Sequence, residues 1–79
     1  MTEVNEFTAQ VDASGLTCPL PLLKAKQALN ALSSGDRLKV IATDPGSVRD
    51  FKVFTELSGN KLLSSSQDQS AYIYLIEKV

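Results

Sequence analysis

Two stretches of alternating apolar and polar residues are each followed by a stretch with helical spacing, and this order restricts the possible folds most. Residues 7–13 (FTAQVDA) and 37–43 (RLKVIAT) alternate with period two, which predicts strands with one buried face. One helical pattern begins at Pro19 and a second at Asp44. Because a strand–helix unit favours a right-handed crossover to a parallel strand, we expect parallel neighbours in the sheet.

Each helical stretch carries apolar residues at recurrent positions. These positions are Leu22, Ala25, Ala28, Leu29 and Leu32 in the first stretch, and Val48, Phe51, Phe54 and Leu57 in the second. Asp44 is a natural N-cap for the second helix, with Pro45 at its first position. Ser58, Gly59 and Asn60 predict its end. Two amphipathic helices of this kind suit one layer packed on one face of a sheet.

The last third of the chain predicts two more strands. KLLSSSQ (61–67) is a weak strand pattern and AYIYLIEKV (71–79) a strong one, with the polar segment SSSQDQS (64–70) as a hairpin loop. The element order is therefore β-α-β-α-β-β. The predicted fold class is α/β in its two-layer α+β form. It has a mixed four-stranded sheet, two helices on one face, and an antiparallel pair at the end.

The composition excludes several classes of function. The chain has no histidine and one cysteine, which removes Cys–His and Ser–His pairs and argues against a metal site. Eight Lys and Arg against nine Asp and Glu give a net charge of −1. That balance offers no reason to expect nucleic acid or an acidic membrane surface as a partner.

The length of 79 residues allows one domain. We expect residues 1–6 to be a disordered N-terminus and residues 7–79 to form the domain, as a monomer. The sequence has no signal-peptide pattern and no apolar run near the ~20 residues of a membrane span. With a single cysteine and no disulfide to form, the expected location is the cytoplasm.

The only cysteine, Cys18, lies directly before Pro19, with Pro21 two residues further on. Prolines are tolerated in the first turn of a helix, where amide protons have no intrahelical partner. They predict that the first helix starts at Pro19 and that Cys18 is its N-cap. The positive helix end then faces the sulfur, which predicts a lowered thiol pKa and a reactive thiol. A small buried structural cysteine is the alternative.

Three stretches resemble the TusA/SirA family of small sulfur-carrier proteins. VDASGLTCPLPLLKAKQAL (11–29) resembles the family's CPxP signature and its surroundings. GDRLKVIATDPGSVRDF (35–51) is similar to its strand followed by a DP…D segment, and YIYLIEK (72–78) to its closing strand. The resemblance runs in register from Val11 to Lys78.

The resemblance implies a two-layer α/β sandwich and a function in sulfur transfer. Family members accept sulfane sulfur from a cysteine desulfurase or rhodanese-type donor, hold it as a cysteine persulfide, and pass it on to an acceptor protein by direct contact. The matching cysteine here is Cys18. Uses in the family include tRNA thiolation, molybdenum-enzyme maturation and sulfur oxidation. The resemblance implies no cofactor other than the transient persulfide, and a carrier rather than a conventional turnover enzyme.

Further candidate site residues lie around this cysteine. Gly15, Pro19 and Pro21 support the motif, and the candidates for partner binding are Lys24, Lys26, Asp44, Arg49 and Asp50. Asp50 equally suits a structural role near a helix N-terminus, and the lysines equally suit solvated positions. The chain departs from the family at Lys52, where many relatives have proline, and at residues 59–62 (GNKL), where GHEL is frequent. Both departures concern the identity of the partner.

Two other functions remain open from the residues alone. The chain could be a non-catalytic regulatory or interaction module in which Cys18 is incidental. It could also be a thiol redox sensor, although it holds no second cysteine to resolve an oxidised thiol. Substitution of Cys18 by serine separates the first of these from a sulfur carrier.

Overall fold

The computed structural model describes residues 7–79, where the elements follow the predicted order β-α-β-α-β-β. The strands are β1 (Ala9–Ala13), β2 (Arg37–Ala42), β3 (Lys61–Asp68) and β4 (Ala71–Glu77), and the helices are α1 (Leu20–Asn30) and α2 (Ser47–Ser58). The expectation of disorder in residues 1–6 lies outside the described residues. Within residues 7–79 no helix is long and apolar enough to cross a membrane.

The four strands form one mixed sheet in the order β1-β2-β4-β3. β1 and β2 are parallel, and β4 pairs antiparallel with both β2 and β3. The first strand–helix unit therefore connects parallel neighbours, as expected, and β3 and β4 form the expected antiparallel pair. The second unit does not connect neighbours, because β4 inserts between β2 and β3. That strand satisfies the hydrogen-bonding edges of both at once.

Both helices pack on the same face of this sheet. Alternate residues of β2 point to one side and are fully buried, as the period-two pattern predicted. The core contains Leu38, Val40 and Ala42 from β2, Tyr74 and Ile76 from β4, Ala25 and Leu29 from α1, and Phe51 from α2. One face of two central strands therefore holds both helices, which confirms the predicted two-layer arrangement.

The side of α2 that packs on the sheet differs from the predicted stripe. The buried positions are Ser47, Phe51 and Thr55, spaced four apart, whereas Val48 is 44% and Leu57 83% exposed. Each step of three residues falls about 60° short of a full turn, so Val48 and Leu57 lie about 180° apart. They cannot share one face, so the four residues of the predicted stripe do not all pack on the sheet.

Both helices begin later than predicted. α1 begins at Leu20 with Pro19 as its N-cap, and α2 begins at Ser47 with Gly46 as its N-cap. A turn precedes α2, in which the Asp44 carboxylate accepts the amide proton of Gly46 at 3.0 Å. Asp44 therefore closes the turn before the helix rather than capping the helix itself. The end of α2 is as predicted, with Gly59 left-handed at φ 82°.

The serine-rich segment predicted as a loop is mostly strand. β3 continues to Asp68, and only residues 69–70 remain as the turn into β4. β3 lies at the edge of the sheet and most of its side chains are exposed, so backbone bonds to β4 hold it in place. An exposed edge strand needs no apolar face, and for that reason the strand pattern in the sequence is weak.

The different burial of two apolar residues on α2 gives a test of this packing. Phe51→Ala removes a fully buried ring and should lower the free energy of unfolding by about 3–5 kcal/mol. Leu57→Ala, the matched control on the same helix, should change it by less than about 0.5 kcal/mol. Urea unfolding followed by circular dichroism measures both. Equal losses in the two variants would contradict the observed orientation of α2.

Candidate functional site

The loop between β1 and α1 carries Cys18 on the surface of the protein, as a free and exposed cysteine. The loop is tied to the end of β2, because the Gly15 amide donates to Thr43 Oγ1 at 2.8 Å. Gly15 has φ 80°, a conformation that glycine adopts without strain. Pro19 is the N-cap of α1, so Cys18 precedes the cap instead of forming it as predicted. Pro21 lies in the first turn and is buried.

The thiol of Cys18 contacts the start of α2. Its Sγ donates a hydrogen bond to Asp50 Oδ2 in the first turn of that helix. A Cβ atom at Gly46 would lie 3.4 Å from the Cβ of Cys18 and 3.7 Å from its Sγ. Cys18 therefore packs on the backbone at the N-terminus of α2, and the site joins the two helix starts.

The pKa of Cys18 is raised above its ordinary value. The main cause is the hydrogen bond to the Asp50 carboxylate, followed by desolvation and by the negative charges of Asp50 and Asp44. A carboxylate that accepts the S–H proton stabilises the neutral thiol and repels the thiolate. The prediction of a lowered pKa was wrong, because the hydrogen bond to Asp50, desolvation and the charges of the two carboxylates all raise the pKa.

An apolar groove of about 610 Å³ runs between the two helices beside this thiol. It is lined mainly by Leu22 and Lys26 of α1 and by Arg49, Asp50, Phe54 and Leu57 of α2, and we call it the interhelical groove. The Lys26 ammonium lies 5.5 Å from the centre of the Phe54 ring. Because Asp50 both lines the groove and binds Cys18, the thiol lies at the edge of the interhelical groove.

The structure places four of the five predicted partner-binding residues in two sets. Asp44 and Asp50 act on the thiol, and Lys26 and Arg49 line the interhelical groove. Lys24 belongs to neither set and acts on Asp12 of β1. The pKa of Asp12 is lowered chiefly by hydrogen bonds from Ser14, and the charge of Lys24 makes the smallest contribution.

Sequence reasoning missed Gly46 and the role of the exposed apolar residues on α2. Both Phe54 and Leu57 line the interhelical groove, and Phe54 also packs against the edge of the core. The signal was present in their spacing from Phe51, because residues three and six positions later progressively leave the buried face. The contact at Gly46 had no such signal, since it depends on how the β1–α1 loop meets α2.

Two helices on one face of a mixed sheet, with an exposed cysteine ahead of the first helix, define a class of small thiol-bearing α+β proteins. A family model described as "Sulfurtransferase TusA" matches residues 9–78. The chain belongs to the TusA family of sulfur-carrier proteins, which confirms the resemblance found in the sequence. A general role as a sulfur carrier follows from this membership.

Individual relatives cover almost the whole chain. The sulfur carrier protein TusA of Allochromatium vinosum is 53% identical over 73 residues, which span 92% of this chain and 96% of that protein. The sulfur carrier protein TusA of Pseudomonas putida strain GB-1 is 40% identical over 77 residues, spanning 95% of this chain and 96% of that one. The crystal structure of a SirA-like protein from Desulfitobacterium hafniense superposes with a TM-score of 0.79 at 25% identity. The superposed region covers 89% of this chain and 96% of the SirA-like protein.

Within residues 7–79 no group of three or more His, Cys, Asp or Glu side chains is arranged to hold a metal ion. The site itself consists of a thiol, two carboxylates and an apolar groove with two cationic residues. Thiols act as nucleophiles in the thiolate form, so the protonation state of Cys18 determines what the site can do.

The raised thiol pKa predicts a slow reaction of the folded protein with alkylating reagents. Below the pKa the rate follows the thiolate fraction, so folding should move the midpoint of the rate–pH profile to higher pH. Iodoacetamide labelling of the native protein and of the protein unfolded in urea measures the two profiles. A native midpoint at or below the unfolded one would contradict the hydrogen bond between Cys18 and Asp50.

Proposed function

We propose that this protein carries sulfane sulfur as a persulfide on Cys18. The sulfur comes from a cysteine desulfurase or a rhodanese-type protein and goes to an acceptor protein in the cytoplasm. The observation that carries this proposal is the exposure of the only cysteine at the edge of an apolar groove. Membership of a family of sulfur carriers supports the same reaction.

The loading step is a thiol–persulfide exchange. The thiolate of Cys18 attacks the outer sulfur of the donor's persulfide and forms a new S–S bond, while the S–S bond in the donor breaks. The donor cysteine leaves as a thiolate, and the proton lost by Cys18 passes to solvent. One sulfur atom is transferred from the donor cysteine to Cys18 without net oxidation or reduction, so the step needs no cofactor.

The unloading step requires a second protein. The chain has one cysteine, so no internal thiol can attack the outer sulfur of the persulfide. A thiolate of the acceptor attacks that sulfur instead, and Cys18 returns to its thiolate form. The proposed uses of the delivered sulfur are tRNA thiolation, molybdenum-enzyme maturation or sulfur oxidation.

The interhelical groove is the proposed contact surface for these partners. Leu57 is 83% exposed and lines the groove together with Phe54, so apolar area is available in the groove that Asp50 connects to the thiol. Lys26 and Arg49 add positive charge to the same surface. Apolar residues flanked by cations are typical of sites that bind another protein through an apolar centre and a complementary charged rim.

Loading of the thiol is directly measurable. After incubation with a cysteine desulfurase and free cysteine, the protein should gain the mass of one sulfur atom, and a reductant should remove it. Peptide mapping should place the extra sulfur on Cys18. Cys18→Ser should gain none and keep its fold, because residue 18 is exposed and outside the core. Intact-mass spectrometry and circular dichroism provide the two measurements.

Two other outcomes would contradict the sulfur-carrier proposal. A protein that stays unmodified with several sulfur donors, and keeps its cellular effect as Cys18→Ser, would be an interaction module. A protein that forms a stable sulfenic acid or mixed disulfide under mild oxidant, and accepts no sulfur, would be a redox sensor.

Charge reversal in the interhelical groove tests the proposed contact surface. Arg49→Glu should slow sulfur loading from the donor protein several-fold, because rim charges mainly govern the rate of association. Lys39→Glu makes the same change in net charge on β2, away from the groove, and should load at the wild-type rate. Single-turnover loading followed by mass spectrometry measures both rates. Equal slowing in the two variants would point to overall charge instead of a surface at the groove.

A further inference from the structure

The thiol of Cys18 lies between two carboxylates, although the proposed reaction needs a thiolate. Asp50 of α2 accepts the thiol proton, and Asp44 adds a second negative charge from the turn before α2. Tyr74 of β4 is the titratable group below the start of α2, and both carboxylates act on it as well. Desolvation is the main cause of its raised pKa, so its hydroxyl stays neutral near neutral pH.

The chain's own cations do not neutralise Asp50. Within residues 7–79 the single ion pair joins Arg37 and Glu77, at the other end of β2. Arg49 is the helical neighbour of Asp50, and adjacent residues on a helix point in directions about 100° apart. Lys26 lies over the Phe54 ring. The negative charge beside the thiol is therefore open to a group from outside.

We propose that Asp50 keeps Cys18 protonated in the free carrier, and that a cationic side chain of the sulfur donor releases the thiolate by pairing with Asp50. This inference rests on the proposed sulfur-carrier function and adds a control of its timing. In the free protein the thiol reacts slowly. In the complex the carboxylate is bound by the donor's lysine or arginine, and the thiol loses its proton to solvent.

Binding of the donor exchanges one hydrogen bond at Asp50 before sulfur is transferred. The S–H···O bond from Cys18 to Asp50 breaks, and an N–H···O bond from the donor's cation to Asp50 forms. The thiolate then attacks the outer sulfur of the donor's persulfide, and the donor cysteine leaves as a thiolate. Neither Asp50 nor the donor's cation is consumed in the step.

The first arm of the test measures the free carrier. Asp50→Asn removes the negative charge, so iodoacetamide labelling of Cys18 at neutral pH should become roughly two- to threefold faster, as expected for an exposed charge interaction. The labelling midpoint should fall at the same time. Asp44→Asn removes a carboxylate that accepts no hydrogen bond from the thiol, so it should accelerate labelling less than Asp50→Asn does. Asp50→Glu retains a carboxylate at this position, so its Cys18 should be labelled more slowly than that of Asp50→Asn.

The second arm measures how the donor changes the thiol. With glutathione persulfide, a small donor, Asp50→Asn should load faster than wild type by about the same factor as in labelling. With a cysteine desulfurase, Asp50→Asn should gain nothing or load more slowly, because the variant lacks the carboxylate that the donor's cation binds. An equal gain with both donors would overturn the role of the partner.

The two arms keep this inference separate from the proposed function. An unchanged labelling profile in Asp50→Asn, with normal sulfur loading on Cys18, would overturn the control by Asp50 and leave the carrier function standing. Absence of loading in wild type would overturn the carrier function whatever the labelling profile. Circular dichroism of each variant establishes that the compared proteins are folded, and Asp50→Glu supplies a second variant at the same position.

Discussion

The packing of α2 on the sheet through Phe51 and Tyr74 determines the geometry of everything around the thiol. The two rings stack with centroids 4.5 Å apart, and Ser47 Oγ shares a hydrogen bond of 2.7 Å with the Tyr74 hydroxyl. These contacts hold both ends of the first turn of α2 to one residue of β4. The rotation of the helix is thereby fixed. Asp50 then faces Cys18, Phe54 lies between the core and the interhelical groove, and Leu57 is exposed.

The hydrogen bond between Ser47 and Tyr74 stabilises the fold because it lies where the start of α2 is buried. Ser47 and Tyr74 are both almost fully buried, and an unpaired hydroxyl at such a depth would destabilise the fold. Their mutual bond satisfies both groups. At the other side of the site, the Gly15–Thr43 bond holds the loop that carries Cys18. The thiol and its carboxylate are therefore positioned by separate anchors, one between the two strand–helix connections and one between α2 and β4.

Much of this fold could be predicted because its signals are local. The alternation in β2 corresponds residue by residue to its burial, and Gly59 ends α2 where expected. The wrong predictions concern features that depend on tertiary contacts between distant parts of the chain. The serine-rich part of β3 is held by its neighbour β4 rather than by its own side chains. The protonation of Cys18 depends on Asp50, 32 positions later, and no pattern within the CPxP segment contains that contact.

The exposed position of Cys18 also has a kinetic consequence. Donor and acceptor must both reach one sulfur atom on a small protein, so they cannot occupy it together. In the proposed relay, the carrier has to leave its first partner before it can serve the second. Tight binding to the donor would then slow delivery, because release would limit each cycle. A shallow groove with a few apolar side chains suits such a protein, since brief encounters favour small contact areas over high affinity.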